Sequence, residues 1–428
     1  MIRILGIGTG EFKKLTIEGL EMLEKADDIV LQTDQIPLAD DLRKKGITFS
    51  SLDDLYNEAE DFDELRDNIG KYLAGREGDT LFCVLGSIYT NEFVKILKET
   101  GVRTEYTGGT GFAEEALDLI GPGDITDNYT FTTASNISGF SYDGNSNIVI
   151  TEIDNTYAAF EVADFLGRYF SMDKKIVYIS RGKREEMALR KIYDINDWNY
   201  SSSLYISRDG ITEKEGFTVR DLLEIMDRLL GKNGCEWDRA QDHRSLRQYL
   251  LEETYEVIDA IDREDEFMLQ DELGDLLYQI VFHSKLAEEH GQFDMLDVST
   301  SISKKMIKRH PHIFSGDKEG EDWEEMKKKE KSIESTGDSL KDIPEQMGAL
   351  LHYQKILRKL LHLEKRTADT EKAKEEILKT LKGQTEEPLN EDTVGELLGY
   401  IVELAFANDI NAEIALNGKI EKVISQYR

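Results

Sequence analysis

The sequence predicts a protein of two parts, an α/β part that ends near residue 210 and an all-α part that follows it. Before residue 210, short apolar runs alternate with amphipathic helical segments, which is the pattern of an α/β fold. After it, nearly every segment has helical periodicity, charged residues are abundant and glycine is scarce. All seven histidines lie in this second part, and we expect the linker at residues 208–216.

Six apolar runs predict the strands of the α/β part. The first run is followed by a turn that contains Gly6, Gly8 and Gly10, and then by a helix at residues 16–26. Such a turn can bring the backbone close to a ligand, although a tight turn without a ligand explains the pattern equally well. The predicted strands are residues 2–7, 29–32, 80–85, 147–151, 175–180 and 203–207.

The composition argues against several classes of partner. The net charge of −33 and the pI near 4.6 disfavour nucleic acid or an anionic membrane. Cys83 and Cys235 are far apart in the sequence, so we expect neither a disulfide framework nor a thiolate metal site. We find no apolar run long enough to cross a bilayer, and the first strand leads straight into the glycine turn without the features of a signal peptide. We therefore expect a cytoplasmic protein.

Two acidic pairs in the stretch 249–277 carry the strongest chemical signal. Glu253 and Glu256 are three residues apart, as are Glu272 and Asp275, so each pair shares one face of a helix. The short polar link between the two segments favours an antiparallel helix pair, in which the four carboxylates would face one another. Hard divalent cations prefer oxygen ligands of this kind, so we predict a magnesium site. A solvated helix face is the alternative interpretation of either pair taken alone.

An internal repeat lies within the helical part. The string DELGDLLYQIV, which begins at Asp271, lines up with DTVGELLGYIV, which begins at Asp392. The second copy keeps the apolar positions but has Thr393 in place of Glu272 and Ala373 in place of Glu253. We therefore expect a duplicated helical unit in which one copy is chemically competent and the other serves in packing or dimerisation.

A basic helix and a tryptophan follow the first copy. Lys305 and Arg309 are four residues apart, before Pro311 ends the helix, and Trp323 and Lys327 repeat this spacing. Lysine and arginine suit phosphate oxygens, and a tryptophan can stack on a base. Combined with a carboxylate-held Mg²⁺, these residues predict a nucleoside triphosphate site. Taken singly, the cations could offset neighbouring acids and the tryptophan could belong to a core.

The residues around the acidic stretch resemble the MazG family of nucleotide pyrophosphohydrolases. The resemblance starts with NGCEWD at 233–238, QDH at 241–243 and YLLEE at 249–253, and it continues in ELGD at 272–275 and RHPHIF at 309–314. It covers roughly residues 220–335, and the degenerate repeat at 338–428 looks like the family's second domain. The family pattern EExxE followed by ExxD is met by Glu252, Glu253, Glu256, Glu272 and Asp275.

The resemblance implies hydrolysis of a nucleoside or deoxynucleoside triphosphate between the α and β phosphates, giving monophosphate and pyrophosphate. It makes Glu253, Glu256, Glu272 and Asp275 ligands of Mg²⁺ or Mn²⁺, and it makes Lys305, Arg309, Trp323 and Lys327 nucleotide contacts. A carboxylate such as Glu252 could orient or deprotonate the attacking water. We expect capping or packing roles for His243, His310 and His312, because an oxygen-rich site selects Mg²⁺.

Residues 1–210 resemble the tetrapyrrole methylase family, whose α/β lobes bind S-adenosylmethionine in a cleft between them. The resemblance rests on IRILGIGTG, which contains Gly6, Gly8 and Gly10, and on GGTGFA, which contains Gly108 and Gly109. It implies that S-adenosylmethionine binds near these five glycines. A fusion of such a domain to a MazG domain is a recognised architecture within the MazG family.

The predicted domains are therefore 1–210, 220–335 and 338–428. We expect a pyrophosphohydrolase; the alternatives are a methyltransferase with an accessory helical domain and a non-catalytic nucleotide-sensing protein. Short helical units usually bury their apolar faces against a partner, so we also expect a homodimer formed through the helical half.

Overall fold

The computed structural model describes residues 1–121, 128–314, 340–341, 343–383 and 390–427. The chain forms two compact units, Met1–Met295 and Leu296–Arg428. The first unit contains an α/β part followed by helices, and the second is helical, so the predicted change of fold class is confirmed. The predicted domain limits at 210 and 220 lie inside the first unit, and those at 335 and 338 lie outside the described residues; all four remain predictions.

The first unit begins with a sheet of five parallel strands. They are β1 Ile2–Gly6, β2 Asp28–Leu31, β3 Ser50–Ser51, β4 Thr80–Val84 and β5 Thr104–Thr107. The spatial order is β3-β2-β4-β1-β5. All five residues of β4 are buried, as expected where helices cover both faces of a parallel sheet.

Six helices follow these strands along the chain, and the last of them packs against a second sheet. Polar residues at their first positions explain where several of them begin: Thr16 accepts a hydrogen bond from the Gly19 amide at 3.0 Å, and Asp61 accepts one from the Glu64 amide at 2.8 Å. The helices are α1 Ile17–Lys25, α2 Pro37–Lys44, α3 Asp53–Glu58, α4 Phe62–Ala74, α5 Glu92–Glu99 and α6 Phe112–Ile120.

A second sheet of mixed direction completes the α/β part. Its strands are β6 Tyr129–Thr133, β7 Asn147–Thr151, β8 Lys175–Ser180, β9 Lys183–Ala188 and β10 Ser203–Ile206, and α7 Thr156–Leu166 packs against it. The order is β6-β7-β10-β8-β9, with β6 parallel to β7 and the remaining pairs antiparallel. Ile148, Ile150 and Leu204 are fully buried in its core.

Four helices of the first unit follow the α/β part. They are α8 Val219–Leu230, α9 Glu236–Arg239, α10 Arg247–Asp262 and α11 Glu266–Glu289. The start of α8 is tied to the second sheet's loops, because Lys214 pairs with the fully buried Asp221 and donates to the Gly144 carbonyl at 2.6 Å. Met226 of α8 packs against Val281 and Phe282 of α11, so α8 connects the α/β part to the helix pair.

The second unit contains six described helices. They are α12 Met295–Arg309, α13 Pro311–Phe314, α14 Ala349–Leu363, α15 Thr370–Gly383, α16 Glu391–Ala407 and α17 Ala412–Ile424. The buried side chain of Gln354 links α14 to the start of α17, donating to the Ile410 carbonyl at 2.9 Å and accepting from the Ala412 amide at 3.1 Å. In the described part of the chain, no helix has the length and apolar character needed to cross a membrane.

Candidate metal and nucleotide site

The helix pair α10/α11 is closed by a tight polar turn. Glu264 adopts a left-handed conformation with φ of 55°, directly after α10 ends. Asp265 then caps α11 by accepting hydrogen bonds from the amides of Phe267 and Met268 at 3.1 and 3.0 Å. The short turn sends the chain back along α10, as the sequence predicts, and it brings the acidic positions of the two helices together.

Three carboxylates converge between these helices. One oxygen each from Glu253 of α10 and from Glu272 and Asp275 of α11 lie within 4.8 Å of one another. Glu253 and Glu272 are partly buried, whereas Asp275 is exposed. No other group of three or more histidine, cysteine, aspartate or glutamate side chains with this geometry occurs among the described residues.

Partial burial and the repulsion between the carboxylates of this cluster raise the pKa of two of them. Partial burial, the charges of Asp275 and Glu256 and a hydrogen bond with Glu256 raise the pKa of Glu253 to about 7. Partial burial and the charges of Glu256 and Asp275 also raise the pKa of Glu272. Glu256 therefore belongs to the same electrostatic cluster, although the converging oxygens come from the other three residues.

The donor set fits a hard divalent cation. Three carboxylate groups supply oxygen ligands without thiolate or imidazole, and Mg²⁺ selects such ligands over softer ones. Within the described part of the chain, no lysine or arginine forms an ion pair with Glu253, Glu256, Glu272 or Asp275. A cluster of carboxylates that repel one another is a site where a bound cation would be stabilising.

The other predicted site residues have different placements. Glu252 is an exposed residue of α10 and is not one of the three converging groups. Lys305 and Arg309 lie on α12 in the second unit, so their approach to the carboxylates stays a prediction. Trp323 and Lys327 lie outside the described residues.

Loop residues before α10 are held by aromatic and polar contacts. Asp238 is buried and accepts a hydrogen bond from the Tyr278 hydroxyl of α11 at 3.3 Å. The rings of Trp237 and Tyr249 meet edge to face at 5.7 Å. These contacts fix the segment that leads into α10 against both helices of the pair.

The histidines behave in two ways. His310 bonds through Nδ1 to the Met306 carbonyl at 2.7 Å, which is the capping role that the sequence predicts. His243 instead faces His283 of α11, with 2.8 Å between their Nδ1 atoms. No pattern in the sequence indicated this pair, because the two residues are 40 positions apart and share no helix face.

The glycines of the α/β part pack loop against loop. Gly8 has φ of 57° and its carbonyl accepts from the Gly86 amide at 2.8 Å. A Cβ atom on Gly109 would lie 2.0 Å from the Gly6 carbonyl oxygen, and one on Gly10 would lie 3.0 Å from Ile36. Gly108 has open space around its Cα. Close backbone packing therefore accounts for Gly6, Gly8 and Gly109 without a ligand, and the positive φ of Gly10 and its contact with the Ile36 side chain account for Gly10.

Comparison with known proteins agrees with this geometry. Residues 241–314 match the MazG nucleotide pyrophosphohydrolase domain. The nucleoside triphosphate pyrophosphohydrolase/pyrophosphatase MazG of Thermotoga maritima is 36% identical over 222 residues, which are 50% of this chain and 86% of that protein. This chain belongs to the MazG family. The nucleoside triphosphate pyrophosphohydrolase of Escherichia coli K12 is 38% identical over 230 residues, covering 48% of this chain and 84% of the relative.

Similarity also extends beyond the MazG segment. The uncharacterized protein YabN of Bacillus subtilis is 30% identical over 378 residues, which are 83% of this chain and 76% of YabN. Among solved structures, a cobalt precorrin-4 methyltransferase is similar with a TM-score of 0.34 and 16% identity, covering 48% of this chain and 94% of that one. A diphthine synthase has a TM-score of 0.34 and 15% identity, covering 49% and 90%.

Proposed function

We propose that this protein is a Mg²⁺-dependent nucleoside triphosphate pyrophosphohydrolase, which cleaves between the α and β phosphates to give a monophosphate and pyrophosphate. The observation that carries the proposal is the convergence of Glu253, Glu272 and Asp275 within 4.8 Å, inside the segment that matches the MazG domain. The nucleoside triphosphate pyrophosphohydrolases that it resembles in Thermotoga maritima and Escherichia coli support the same reaction.

Each part of the site has a role in this proposal. Glu253, Glu256, Glu272 and Asp275 would hold the metal. Bound there, Mg²⁺ would supply Lewis-acid polarisation of a phosphoryl oxygen and neutralise charge that develops on the phosphates. Glu252 is exposed on α10 and would orient the attacking water or accept its proton.

Substrate binding must overcome the charge of the protein. A net charge of −33 repels a polyphosphate, so local cations are needed in addition to the metal. We assign this role to Lys305 and Arg309, which are four residues apart on α12, together with Lys327. Trp323 would stack on the base.

The reaction is tested by identifying its products. Purified protein with Mg²⁺ and each common nucleoside triphosphate should release pyrophosphate and the monophosphate in equal amounts. Release of orthophosphate with the diphosphate would place the cut at another bond and contradict the proposal. Glu253→Ala and Glu272→Ala should each abolish pyrophosphate release, because each removes a carboxylate of the converging group.

The degenerate helix pair supplies matched controls. Glu376 of α15 corresponds to Glu256, and Glu396 of α16 corresponds to Asp275. Glu376→Gln and Glu396→Gln remove the same chemical group from the same kind of helix and should leave pyrophosphate release unchanged. Loss of activity in either control would show that the second helix pair takes part in the reaction.

We also propose that the protein acts as a homodimer through its helical half. Leu251 and Tyr255 of α10 are 56% and 49% exposed, and Leu273 of α11 is 49% exposed. Large apolar side chains exposed on a helix pair are typical of a surface that a second copy covers. Light scattering should give twice the monomer mass at micromolar concentration, and a monomer mass would contradict this proposal.

A further inference from the structure

His243, in the loop before α10, and His283 of α11 have an unusual mutual geometry. Their Nδ1 atoms are 2.8 Å apart, their ring planes are within 10° of parallel, and their ring centroids are 5.1 Å apart. For a given distance between the two nitrogens, the ring centroids are farthest apart when both nitrogens lie on the line that joins the two centroids. The observed separation is close to that maximum, so the rings meet edge to edge in one plane and each Nδ1 points at the other.

This geometry suits a proton better than a metal ion. In a tetrahedral site, the lone pairs of two histidines converge at an angle on a third point. Here the two lone-pair directions oppose each other at hydrogen-bond distance. In the described part of the chain, no aspartate, glutamate or cysteine joins the two histidines in a group that could hold a metal.

Counting protons shows when the contact can exist. With no net charge, one ring donates its Nδ1–H to the bare Nδ1 of the other. One added proton keeps the bond, because the imidazolium then donates to the neutral ring. A second proton removes the last acceptor and places two like charges edge to edge. The pair therefore titrates as a unit, and the contact is lost at the second protonation.

The charged groups near His243 and His283 bond to other partners, so the titration of the pair depends on the two histidines themselves. Burial and the charge of His243 lower the pKa of His283. Charged groups on the elements packed around the pair bond to other partners: Asp242 to the Arg244 and Ser245 amides, Arg247 to the Arg244 carbonyl, Lys285 to Asp227 of α8 and to Glu288, and Asp238 to Tyr278.

The position of the pair relates it to the carboxylates. His243 stands four residues before α10 begins, in a turn stiffened by the bonds of Asp242 to the Arg244 and Ser245 amides at 2.8 and 2.7 Å. His283 lies on α11, about 12 Å beyond Asp275 along the helix axis at 1.5 Å per residue. At the opposite end of the helix pair, the turn at Glu264 joins α10 to α11.

We propose that His243 and His283 are positioning residues, which share one proton and thereby hold the start of α10 in register with α11. The converging carboxylates lie between this contact and the turn at Glu264, so the two ties together fix the distance across the metal site. The effect on catalysis rests on the proposed pyrophosphohydrolase function; the shared proton does not.

Three variants of the full-length protein separate bonding from titration. In His243→Asn the amide takes the place of Nδ1 and can bond to His283 without titrating. In His243→Ala the contact is absent at every pH. His290→Asn is the matched control. His290 lies at the end of α11, the helix that carries His283, and it bonds to the Leu286 carbonyl instead of to a histidine.

Pyrophosphate release at saturating Mg²⁺ should follow these distinctions between pH 8 and a pH below the second protonation of the histidine pair. We expect His243→Ala to lower kcat on the order of tenfold at all pH values, as for loss of a residue that orients metal ligands. His243→Asn should keep the neutral-pH kcat but lose part of the decline that the wild type shows where the second proton binds, which is well below the ordinary histidine value of pH about 6.5. His290→Asn should follow the wild type.

Nitrogen NMR of the imidazole rings tests the shared proton without any substrate. We expect two coupled titration steps, the lower of them well below pH about 6.5. Two independent titrations near that value would overturn the proposal, as would a His243→Asn profile that parallels the wild type. Absence of pyrophosphate release by the wild type would contradict the proposed function alone, since the NMR result would still decide the histidine pair.

Discussion

The two helix pairs of this protein, α10/α11 and α15/α16, share an apolar pattern but differ where chemistry is expected. In the first pair, Glu253 and Glu272 are partly buried and converge with Asp275. In the second pair, the corresponding positions are Ala373 and Thr393, which are only 2% and 7% exposed. The Thr393 hydroxyl bonds to the side chain of Asn390 at 2.9 Å and helps to begin α16. A position that faces a carboxylate cluster in one pair belongs to the packed interior of the other.

The difference teaches that the two pairs satisfy different physical demands. A small side chain can be buried without a partner, and burying alanine costs little side-chain entropy. A carboxylate cannot be buried in the same way, because the charged form loses hydration. The first pair therefore keeps its acidic positions partly solvated, and partial burial together with repulsion between the charges raises the pKa of Glu253 to about 7. The repulsion between these carboxylates is unfavourable, and a bound cation would offset it.

The largest effect is expected where the comparison depends on metal. Glu272→Gln should weaken Mg²⁺ binding, measured by calorimetry, by at least roughly 100-fold, the upper end of the loss for removing a group that only orients a ligand. Glu396→Gln in the second pair should leave Mg²⁺ affinity unchanged. If both variants bind Mg²⁺ like the wild type, the converging carboxylates are not the metal site.

Rebuilding an acidic position in the second pair tests whether packing forbids it. Ala373→Glu places a carboxylate at a position that is 2% exposed, and we expect it to lower the free energy of unfolding by about 1–3 kcal/mol. Lys372→Glu, one residue away and exposed, is the control and should change stability little. Urea denaturation followed by circular dichroism gives both values. A stable Ala373→Glu protein would mean that this interior is looser than its burial indicates.

Mg²⁺ binding at the first helix pair should depend on pH. The pKa of Glu253 is raised to about 7, and Mg²⁺ binds the deprotonated carboxylate, so affinity should fall roughly tenfold per pH unit below 7. Without metal the sign reverses: the folded state binds the extra proton, so this group's stabilising effect is present below the ordinary glutamate pKa of 4.5 and is lost as pH rises through about 7. Thermal unfolding with and without Mg²⁺ at pH 5.5 and 7.5 measures both. A Mg²⁺ affinity that does not change over this range would contradict the raised pKa.

The smallest expected effects concern the helix caps. Asp265 caps α11 and Asn390 caps α16, and replacing either by alanine should cost about 1 kcal/mol of stability. The caps should differ in activity, because Asp265 lies in the turn that closes the carboxylate site. Asp265→Ala should therefore also lower pyrophosphate release, whereas Asn390→Ala should not. Equal activity in the two variants would show that the turn does not position the site.

Much of the fold could be predicted because each element has a local cause. Periodicity and composition located β7 and β8 at the residues where they occur, and they located four other strands to within one residue at each end. The strands β3, β5, β6 and β9 were not predicted. β3 has two residues, and β9 (KREEMA) is exposed along most of its length and carries charge instead of an apolar pattern. Such strands are specified by their neighbours in the sheet.

The candidate site shows the same division. Spacing of three predicted which carboxylates share a helix face, and the repeat indicated that only one copy keeps them all. Spacing could not show that Glu256 would stand beside the converging oxygens and not among them. Nor could it show the contact of His243 with His283, because the two residues are brought together by the packing of a loop on α11.

The sequence by itself determined the change from α/β to all-α structure, the helix pair with its acidic faces and the loss of two acidic positions in the second pair. These properties follow from periodicity, side-chain chemistry and residue identity, which act over a few neighbouring positions. The tertiary structure alone decided which three carboxylates meet, that Ala373 and Thr393 are interior, and that two histidines face each other in one plane. Distances between residues that are far apart in the chain depend on packing, and the energies of charge and hydrogen bonding depend on those distances.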